Sequence, residues 1–382
     1  MENLVIENGT VITPEQERST SVWLSGSKIL HVGDSLTGLE VDPSSFRKID
    51  ARDCYVTPGL IDLQMNGGPD CDLWEDLSAS GAKLIKMRQE LLAHGTTAFL
   101  PTLITTSVER FVSNIAFLKS EGAGISPDKA NNSEALARMP GIHLEGPCLS
   151  PSRPGVHPAE HIQPFTPAVL KQLMDPSVLL MTAAPESDED GTAVAFLQQH
   201  GVAVSLGHSN ATYEEAQRAF NEHKVRLMTH VFNALPPLHH RQPGAVTAAL
   251  LNGSVTCCLI ADGLHLAPAA CQLVYALKGK QGTILVTDRA HIGTSTGALV
   301  GSSITLDEAV RNMTQWGITS FAEAIYMATH NPAQALGLDS IGSLAAGKLA
   351  DVVLFKKEDL QVSRVILGGV EVAIEALISS RV

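Results

Sequence analysis

The feature that most constrains the fold is a series of short apolar runs separated by helical patterns. Within 80–93 and 213–223, apolar residues recur at three- and four-residue spacing, which is typical of helices packed on one face. Strands that alternate with helices favour a parallel sheet covered by helices, and eight of them favour an α/β fold of the (β/α)8 barrel type. The candidate strands are 55–64, 97–104, 141–145, 178–183, 202–208, 226–231, 256–261 and 283–288.

Both ends of the chain have a different texture. Short β-rich pieces at 4–12, 21–32 and 47–56 are separated by turn residues, and similar pieces return near the C-terminus at 351–355, 362–367 and 369–373. We expect these pieces to pair into one small β-sandwich domain, built from 1–56 and 340–382, beside a barrel formed by 57–339.

Composition excludes several classes of partner. The formal charge of −13 is spread along the 382 residues, which argues against nucleic acid or an anionic membrane as a partner. The apolar stretch 246–277 is interrupted by polar residues, so a membrane span is not expected. Six cysteines without a CxxC spacing predict buried free thiols in a reducing compartment. With no secretory pattern at the start, the expected location is the cytoplasm.

Three predicted strands end in residues that bind metals. Glu145, His208 and His230 each close an apolar run, and barrel enzymes place their catalytic groups at the carboxyl ends of the strands. A carboxylate and two imidazoles are a common zinc ligand set that leaves a position open for water. One such histidine would more often satisfy a hydrogen bond in the core, but three such residues favour a metal site.

Asp288 ends another apolar run, 284–287. Its carboxylate would emerge at the barrel mouth, where it could take a proton from water and return it to a leaving amine. The alternative is an ordinary helix N-cap.

Two loops add polar groups near the same mouth. The proline-stiffened loop 235–244 carries Arg241, whose bidentate donors suit a phosphate or a carboxylate, although a solvated loop or a subunit contact would also explain it. His157 follows the Glu145 strand closely enough to lean over the mouth, or it is an ordinary loop histidine.

Taken together, the motifs at these positions resemble the N-acetylglucosamine-6-phosphate deacetylase family of the amidohydrolase superfamily. The resemblance runs from the N-terminal sandwich to 347–351. The motifs are PGLIDLQMNGG at 58–68, HLEGP at 143–147, GHSNA at 207–211, THVFNA at 229–234, the His-His-Arg loop, ADGLH at 261–265 and VTD at 286–288.

This resemblance implies specific roles. Glu145, His208 and His230 would hold the catalytic metal, Asp288 would be the acid/base, and His157 would polarise the acetamido carbonyl. The products would be glucosamine 6-phosphate and acetate. In the family the arginine reaches the neighbouring subunit's site, which implies a homodimer, and His265 would share the phosphate with it. The expected substrate-binding residues are Gln64, Asn66, His157, Asn233, Ala234, Arg241 and His265.

The metal count follows from a departure at the first barrel strand. Many amidohydrolases have His-x-His there to hold a second metal, whereas this chain has Gln64 and Asn66. An amide is a poor zinc ligand beside imidazole. We therefore expect one divalent metal per subunit, with zinc as the first choice and Fe²⁺, Mn²⁺ or Co²⁺ accepted by the same ligands.

The segment after Asp288 also departs from the family, which usually has a longer excursion before its Gly-Ser segment. Here 288–297 runs almost directly into 299–303. Either the lid is short, or a stretch is absent from this sequence. A true deletion would place Arg289 beside Asp288, where its charge would lower the pKa of Asp288 or occupy the substrate's place.

Two other functions remain open at this point. One is another amidohydrolase activity, on a cyclic amide or a different N-acyl sugar. The other is a catalytically silent protein that binds a sugar phosphate. The His-His-Arg loop argues against a neutral cyclic amide, since such a substrate gives no reason for phosphate donors.

Overall fold

The computed structural model describes residues 2–36, 38–39, 41–68, 70–130, 135–290 and 300–379. The N-terminal part is built of short strands, which alternate between two sheets. These strands are β1 (Asn3–Glu7), β2 (Thr10–Ile12), β3 (Glu17–Ser19), β4 (Val22–Ser25), β5 (Lys28–Val32), β6 (Arg47–Asp50) and β7 (Cys54–Pro58).

The middle of the chain forms the barrel. Its strands, with one small hairpin, are β8 (Leu60–Met65), β9 (Gly67–Gly68), β10 (Cys71–Asp72), β11 (Thr96–Ile104), β12 (Ile142–Glu145), β13 (Val178–Ala183), β14 (Ala203–Leu206), β15 (Leu227–Met228), β16 (Thr256–Leu259) and β17 (Thr283–Leu285). The helices that cover them are α1 (Gly81–Ala93), α2 (Val108–Ser120), α3 (Pro167–Leu173), α4 (Thr192–Gln199), α5 (Tyr213–Asn221), α6 (Gly244–Leu251) and α7 (Pro268–Lys278).

The C-terminal part completes both regions. Three helices follow the last barrel strand, and three strands and a final helix come after them. These elements are α8 (Leu306–Gln315), α9 (Phe321–Ala328), α10 (His330–Ala335), β18 (Val352–Lys356), β19 (Val362–Leu367), β20 (Val370–Val372) and α11 (Ile374–Ser379).

The (β/α)8 prediction is confirmed. An eight-stranded sheet in the order β17-β16-β15-β14-β13-β12-β11-β8 has every ladder parallel. The predicted helix at 213–223 is α5, which begins after a capping box between Thr212 and Glu215. Since all strands run the same way, their carboxyl ends meet at one mouth.

The predicted sandwich from both chain ends is also present. The sheets β5-β4-β1-β6 and β20-β19-β18-β7-β2-β3 share a buried apolar cluster to which both chain ends contribute, for example Leu4, Val56 and Leu354. Strand β18 pairs with β7, so the C-terminal strands complete a sheet begun at the N-terminus.

One predicted strand, 55–64, is two strands in different sheets. It breaks at Gly59, between β7 in the sandwich and β8 in the barrel. A Cβ at Gly59 would lie 2.0 Å from Thr97 Oγ1, so the chain can turn between the two sheets only where a side chain is missing. The apolar run was continuous because both strands are buried.

The barrel closes between β8 and the residues just beyond β17. The backbone amide of Asp288 donates to the carbonyl of Gln64 at 2.8 Å, and that of Asn66 donates to the carbonyl of Arg289 at 2.8 Å. Inside this seam, Asp62 is fully buried and accepts a hydrogen bond from the Thr287 hydroxyl. The seam therefore brings the end of the eighth strand against the first.

A buried ion pair joins the barrel to the sandwich. Arg138, which precedes β12, donates to Asp351 at 2.5 Å, and both side chains are almost fully buried. The other carboxylate oxygen of Asp351 accepts from the Gly368 amide at 2.8 Å. The pair therefore ties β12 to the strands of the C-terminus.

Among the described residues, none of the helices combines the length and the apolar character that crossing a bilayer requires.

Candidate active site

The carboxyl ends of the barrel strands open into a cavity of about 180 Å³. Most of the site residues predicted from the sequence meet there, although they come from distant parts of the chain. Those that line the cavity are Asn66, Glu145, His157, His208, His230, Asn233, Ala234, His265 and Asp288.

The three predicted metal ligands converge on one point. Glu145 Oε1 lies 3.2 Å from His208 Nε2 and 3.0 Å from His230 Nε2, and the two imidazole nitrogens are 3.2 Å apart. All three side chains are at most 5% exposed. Ligand atoms that sit about 2.0–2.1 Å from a tetrahedral zinc ion lie about 3.3 Å from each other, so these separations fit one small cation.

His157 is a competing ligand candidate in the same cluster. Its ring nitrogens, those of His208 and the carboxylate of Glu145 include ligand atoms within 4.8 Å of one another. The tautomers of the rings separate the two histidines. The backbone amide of Thr105 donates to His157 Nδ1 at 3.1 Å, so that nitrogen holds a lone pair. Burial lowers the pKa of His157 to about 3, so the ring is neutral and its proton is on Nε2.

His208 has the opposite tautomer. Its Nδ1 lies 3.1 Å from the backbone carbonyl oxygen of Arg153, which can only accept, so Nδ1 carries the proton and Nε2 holds a lone pair. A carbonyl that holds the remote ring nitrogen in this way is typical of a histidine that binds metal. His208 can therefore bind a cation through Nε2, whereas His157 presents a hydrogen-bond donor.

The electrostatics of the cluster favour a cation. Although burial raises the pKa of Glu145, the neighbouring imidazoles of His208 and His230 hold that pKa well below its usual range, so the carboxyl group is ionised. The lone pairs of His208 Nε2 and Glu145 Oε1 thus face each other across 3.2 Å in a site shielded from water. A metal ion satisfies both at once, and the donor set of one carboxylate and two imidazoles suits zinc.

The backbone is unusual at three of the strand ends that supply a site residue. His208, His230 and Asp288 have φ values of +47°, +24° and +50°, a region that residues other than glycine seldom adopt. Such conformations cost about 1–3 kcal/mol each and persist only where the surroundings impose them. Here the strained turns direct the side chains from the ends of the strands into the mouth.

Asp288 lies opposite the metal cluster and is held by amides. Its Oδ1 accepts from Gln64 Nε2 at 2.9 Å and from Asn66 Nδ2 at 2.5 Å. Gln64 Nε2 also donates to Glu145 Oε1 at 3.0 Å, so one amide connects the two carboxylates. Burial and the negative charge of Glu145 raise the pKa of Asp288 to about 7.

The expectation for Arg289 is wrong. Its side chain does not line the cavity and instead forms a 2.8 Å ion pair with Glu90 of α1, where both side chains are mostly buried. The Glu90 carboxylate pairs with the Arg289 charge away from the mouth, so the Arg289 side chain does not take the substrate's place. Ala290, Val300 and Gly301 line the cavity instead. The rest of the predicted short segment, 291–299, lies outside the described residues.

Two predicted substrate contacts are elsewhere in this chain. Gln64 lies behind the cavity wall, with its amide engaged by Glu145 and Asp288. Arg241 lines a separate surface cavity of about 560 Å³ with Arg153, Asn210 and His239. The Arg241 position is compatible with service to another subunit, and its role remains a prediction.

Several functional contacts were missed by the sequence analysis. Thr105, which fixes the tautomer of His157, directly follows strand β11, so the strand-end rule could have identified it. The Arg153 carbonyl that orients His208 has no sequence signal, because any residue supplies a carbonyl.

Side chains of Trp74, Ile104 and Val156 form an apolar part of the cavity wall. His143 is a structural neighbour of the site, with Nε2 2.8 Å from Thr182 Oγ1 and a pKa that burial lowers to about 4.

A sequence comparison matches residues 55–372 to the Amidohydrolase family. The chain therefore belongs to the amidohydrolase family, and it is a hydrolase with a possible metal site.

Named relatives narrow the resemblance to amino-sugar-phosphate deacetylases. N-acetylglucosamine-6-phosphate deacetylase of Lysinibacillus sphaericus is 32% identical and covers 92% of this chain and 93% of its own length. N-acetylgalactosamine-6-phosphate deacetylase of Escherichia coli O157:H7 is 31% identical, with 87% and 91% covered. The crystal structure of N-acetylglucosamine-6-phosphate deacetylase from Pasteurella multocida superposes with a TM-score of 0.85 at 29% identity, covering 97% of this chain and 100% of that one. The resemblance predicted from the motifs is confirmed.

The tautomers predict which substitutions remove the metal. His208→Asn and His230→Asn should lose most of the bound metal, because each removes an imidazole lone pair. His157→Asn should retain it, since the asparagine oxygen can still accept from the Thr105 amide. Elemental analysis of protein loaded with zinc and desalted measures this directly, and we expect one metal per chain in the wild type. Two metals per chain, or loss of metal in His157→Asn, would contradict the assignment.

Proposed function

We propose that this chain hydrolyses N-acetylglucosamine 6-phosphate to glucosamine 6-phosphate and acetate. The observation that carries the proposal is the division of labour among three buried groups in one cavity. His208 Nε2 offers a lone pair, His157 Nε2 offers a proton, and Asp288 offers a carboxylate whose pKa lies near neutrality. Metal-dependent hydrolysis of an amide uses all three kinds of group.

Glu145, His208 and His230 would hold the divalent ion, which we take to be zinc. The ion would supply the Lewis acidity that makes a water molecule nucleophilic near neutral pH. The fixed tautomer of His208 and the strained backbone at His208 and His230 would hold the ligands in place before the ion arrives.

His157 would polarise the acetamido carbonyl. Its Nε2 proton is fixed by the Thr105 amide on the other side of the ring, so the donor cannot be lost by a change of tautomer. Nε2 lies 4.0 Å from Glu145 Oε2, which places the donor next to the metal cluster. A carbonyl oxygen beside this donor would gain negative charge as water adds to the carbonyl carbon, and a preorganised donor stabilises that charge.

Asp288 would take the proton from the attacking water and deliver it to the leaving amine. A group with a pKa near the working pH can do both steps, because neither the acid nor the base form is strongly preferred. The amides of Gln64 and Asn66 hold Oδ1, which leaves Oδ2 for the proton. Gln64 would therefore support the sugar site from behind, while Asn66, Asn233 and Ala234 line it.

His265 and Arg241 would bind the phosphate. His265 lines the cavity, and Asp262 holds its ring through a 2.7 Å contact with Nδ1. Arg241 is exposed and lines a different cavity from the active site of its own chain. It would therefore contribute to the active site of a second subunit in a homodimer. The six unpaired cysteines fit a reducing compartment such as the cytoplasm.

A different N-acyl sugar phosphate is the second candidate, and one relative is named for N-acetylgalactosamine 6-phosphate. The two sugars differ in the orientation of one hydroxyl group. A cyclic amide is less suited, because it has no phosphate for His265 and Arg241. A silent binding protein would not need His157 and His208 as opposite tautomers beside a carboxyl group whose pKa lies near neutrality.

The direct test measures acetate release from metal-loaded protein. N-acetylglucosamine 6-phosphate should be hydrolysed with a higher kcat/KM than N-acetylgalactosamine 6-phosphate or unphosphorylated N-acetylglucosamine. A cyclic amide such as a hydantoin releases no acetate, so its hydrolysis is followed by loss of the intact ring and should also be slower. The matched control is His208→Asn, which should be inactive. Binding of the sugar phosphate without acetate release would favour the silent protein, and faster release from the galactosamine compound would change the substrate.

Asp288→Asn should retain the metal and lose about 10²- to 10⁴-fold in kcat, the usual contribution of a general acid/base. The asparagine oxygen can accept the same hydrogen bonds from Gln64 and Asn66, so the geometry should persist. Steady-state kinetics together with metal content would show this, and near-normal turnover would refute the role of Asp288.

Arg241→Ala should raise KM for the phosphorylated sugar and leave kcat nearly unchanged, because it removes a contact remote from the reacting bond. KM for the unphosphorylated sugar should not change, which provides the internal control. Sedimentation velocity would report the dimer in the same samples. An unchanged KM would place the phosphate elsewhere.

A further inference from the structure

A buried carboxylate that the catalytic proposal does not use lies directly beneath the site. Asp62 is in the middle of β8 and is fully buried in the barrel interior, where an unpaired charge would be costly. Burial raises its pKa to about 6, so near neutral pH the group is mostly an ionised carboxylate that only accepts hydrogen bonds. Its donors therefore show what it holds.

All its donors belong to the residues that position Asp288. Asp62 Oδ1 accepts the backbone amides of Gln64 and Thr287, each at 3.2 Å, and Oδ2 accepts the Thr287 hydroxyl at 2.5 Å. Thr287 directly precedes Asp288, and Gln64 donates its side-chain amide to Asp288. One carboxylate thus fixes both the backbone before the acid/base and the amide that orients it.

The contact between Asp62 and Thr287 lies at the seam where β8 meets the end of β17. The β8 and β17 strands share no regular ladder, and the seam is carried by a few backbone hydrogen bonds near Asp288 and Asn66. The Thr287 hydroxyl also accepts from the Arg289 amide at 3.2 Å, so the hydroxyl connects Asp62 to the turn on both sides of Asp288.

The turn needs this support because its backbone is strained. Asp288 has a φ of +50°, which is unfavourable for a residue with a side chain. On the other side, Ser302 donates its amide to the Asp288 carbonyl at 2.9 Å and its hydroxyl to the Thr287 carbonyl at 2.5 Å. The turn is therefore held from both flanks, by Asp62 below and by Ser302 beside it.

We propose that Asp62 is a positioning residue for Asp288, acting through the Thr287 hydroxyl and the Gln64 amide. The inference rests on the proposed role of Asp288 and adds to it the group that sets its position. The contact between Asp62 and the Thr287 hydroxyl does not involve Glu145, His208 or His230, so we expect metal binding to be independent of it.

The test is a pair of substitutions at Thr287 that differ in one hydroxyl. Thr287→Val removes the donor to Asp62 while keeping the shape, and Thr287→Ser keeps the donor while losing a methyl group. Because displacement of a catalytic group by about 1 Å can cost on the order of 100-fold, Thr287→Val should lower kcat by about 10- to 100-fold. KM and metal content should stay near wild type, and Thr287→Ser should restore most of kcat.

Hydrogen exchange followed by mass spectrometry supplies a readout that does not need turnover. In Thr287→Val, the amides of Asn66 and Asp288 should exchange faster, because the seam that protects them is loosened. Thr287→Ser should exchange like wild type. If Thr287→Val is insoluble, Asp62→Asn tests the same contact, with a smaller expected loss because its amide can donate to the Thr287 hydroxyl.

The outcomes separate this proposal from the function. Equal kcat for Thr287→Val and Thr287→Ser overturns the positioning role, even if Thr287→Val unfolds at a lower temperature, since that would show stability alone. A faster-exchanging seam with unchanged kcat overturns it as well. If the wild type releases no acetate, the proposed function fails, and unchanged exchange in Thr287→Val would then overturn the Asp62 contact independently.

Discussion

The site depends on a frame that holds the electron-rich ligand atoms of Glu145, His208 and His230 close together despite their mutual repulsion. The lone pairs of Glu145 and His208 face each other across 3.2 Å, with His230 as near to both, in a place from which water is largely excluded. Without a cation such an arrangement is unfavourable, because the low dielectric strengthens repulsion as well as attraction. The barrel overcomes this repulsion in two ways. The parallel strands form a fixed frame, and the strained turns at the strand ends hold the side chains in the mouth. The same frame would hold the three ligand atoms in place for a metal ion.

The framework and most of the site could be predicted from the sequence for a physical reason. Parallel strands bring their carboxyl ends to one edge, so a polar residue at the end of an apolar run is placed at the mouth whatever lies between the strands. This is why Glu145, His208, His230 and Asp288 could be assembled from positions that span more than a hundred residues. The sandwich was predicted because turn residues and short alternating runs recur at both ends of the chain.

What could not be predicted depends on contacts without a sequence signal. The tautomers that distinguish His157 from His208 are set by a backbone amide at Thr105 and a backbone carbonyl at Arg153, which any residue type could supply. The split at Gly59 was hidden because β7 and β8 are both apolar. Arg289 was expected at the mouth because of its place in the chain, but its partner Glu90 is on a helix nearly two hundred residues earlier. The direction of a long charged side chain depends more on where its ion-pair partner lies than on its own position in the sequence.

Gln64 explains in the same physical terms why one metal should suffice. In amidohydrolases with His-x-His at the first strand, an imidazole lone pair would face Glu145 and Asp288, and a second cation would be needed between them. The amide nitrogen of Gln64 has two hydrogens, and it lies 3.0 Å from Glu145 Oε1 and 2.9 Å from Asp288 Oδ1. Those hydrogens provide the positive partial charge between the two carboxylates that a second ion would otherwise provide. Because the amide is neutral, it does not draw the proton off Asp288 as strongly as a cation would, which leaves that carboxyl able to give the proton back. If Asp288 is the acid/base that we propose, the choice of glutamine over histidine would bear on proton transfer as well as on metal count, and Asp62, which holds the Gln64 backbone, would be part of the same arrangement.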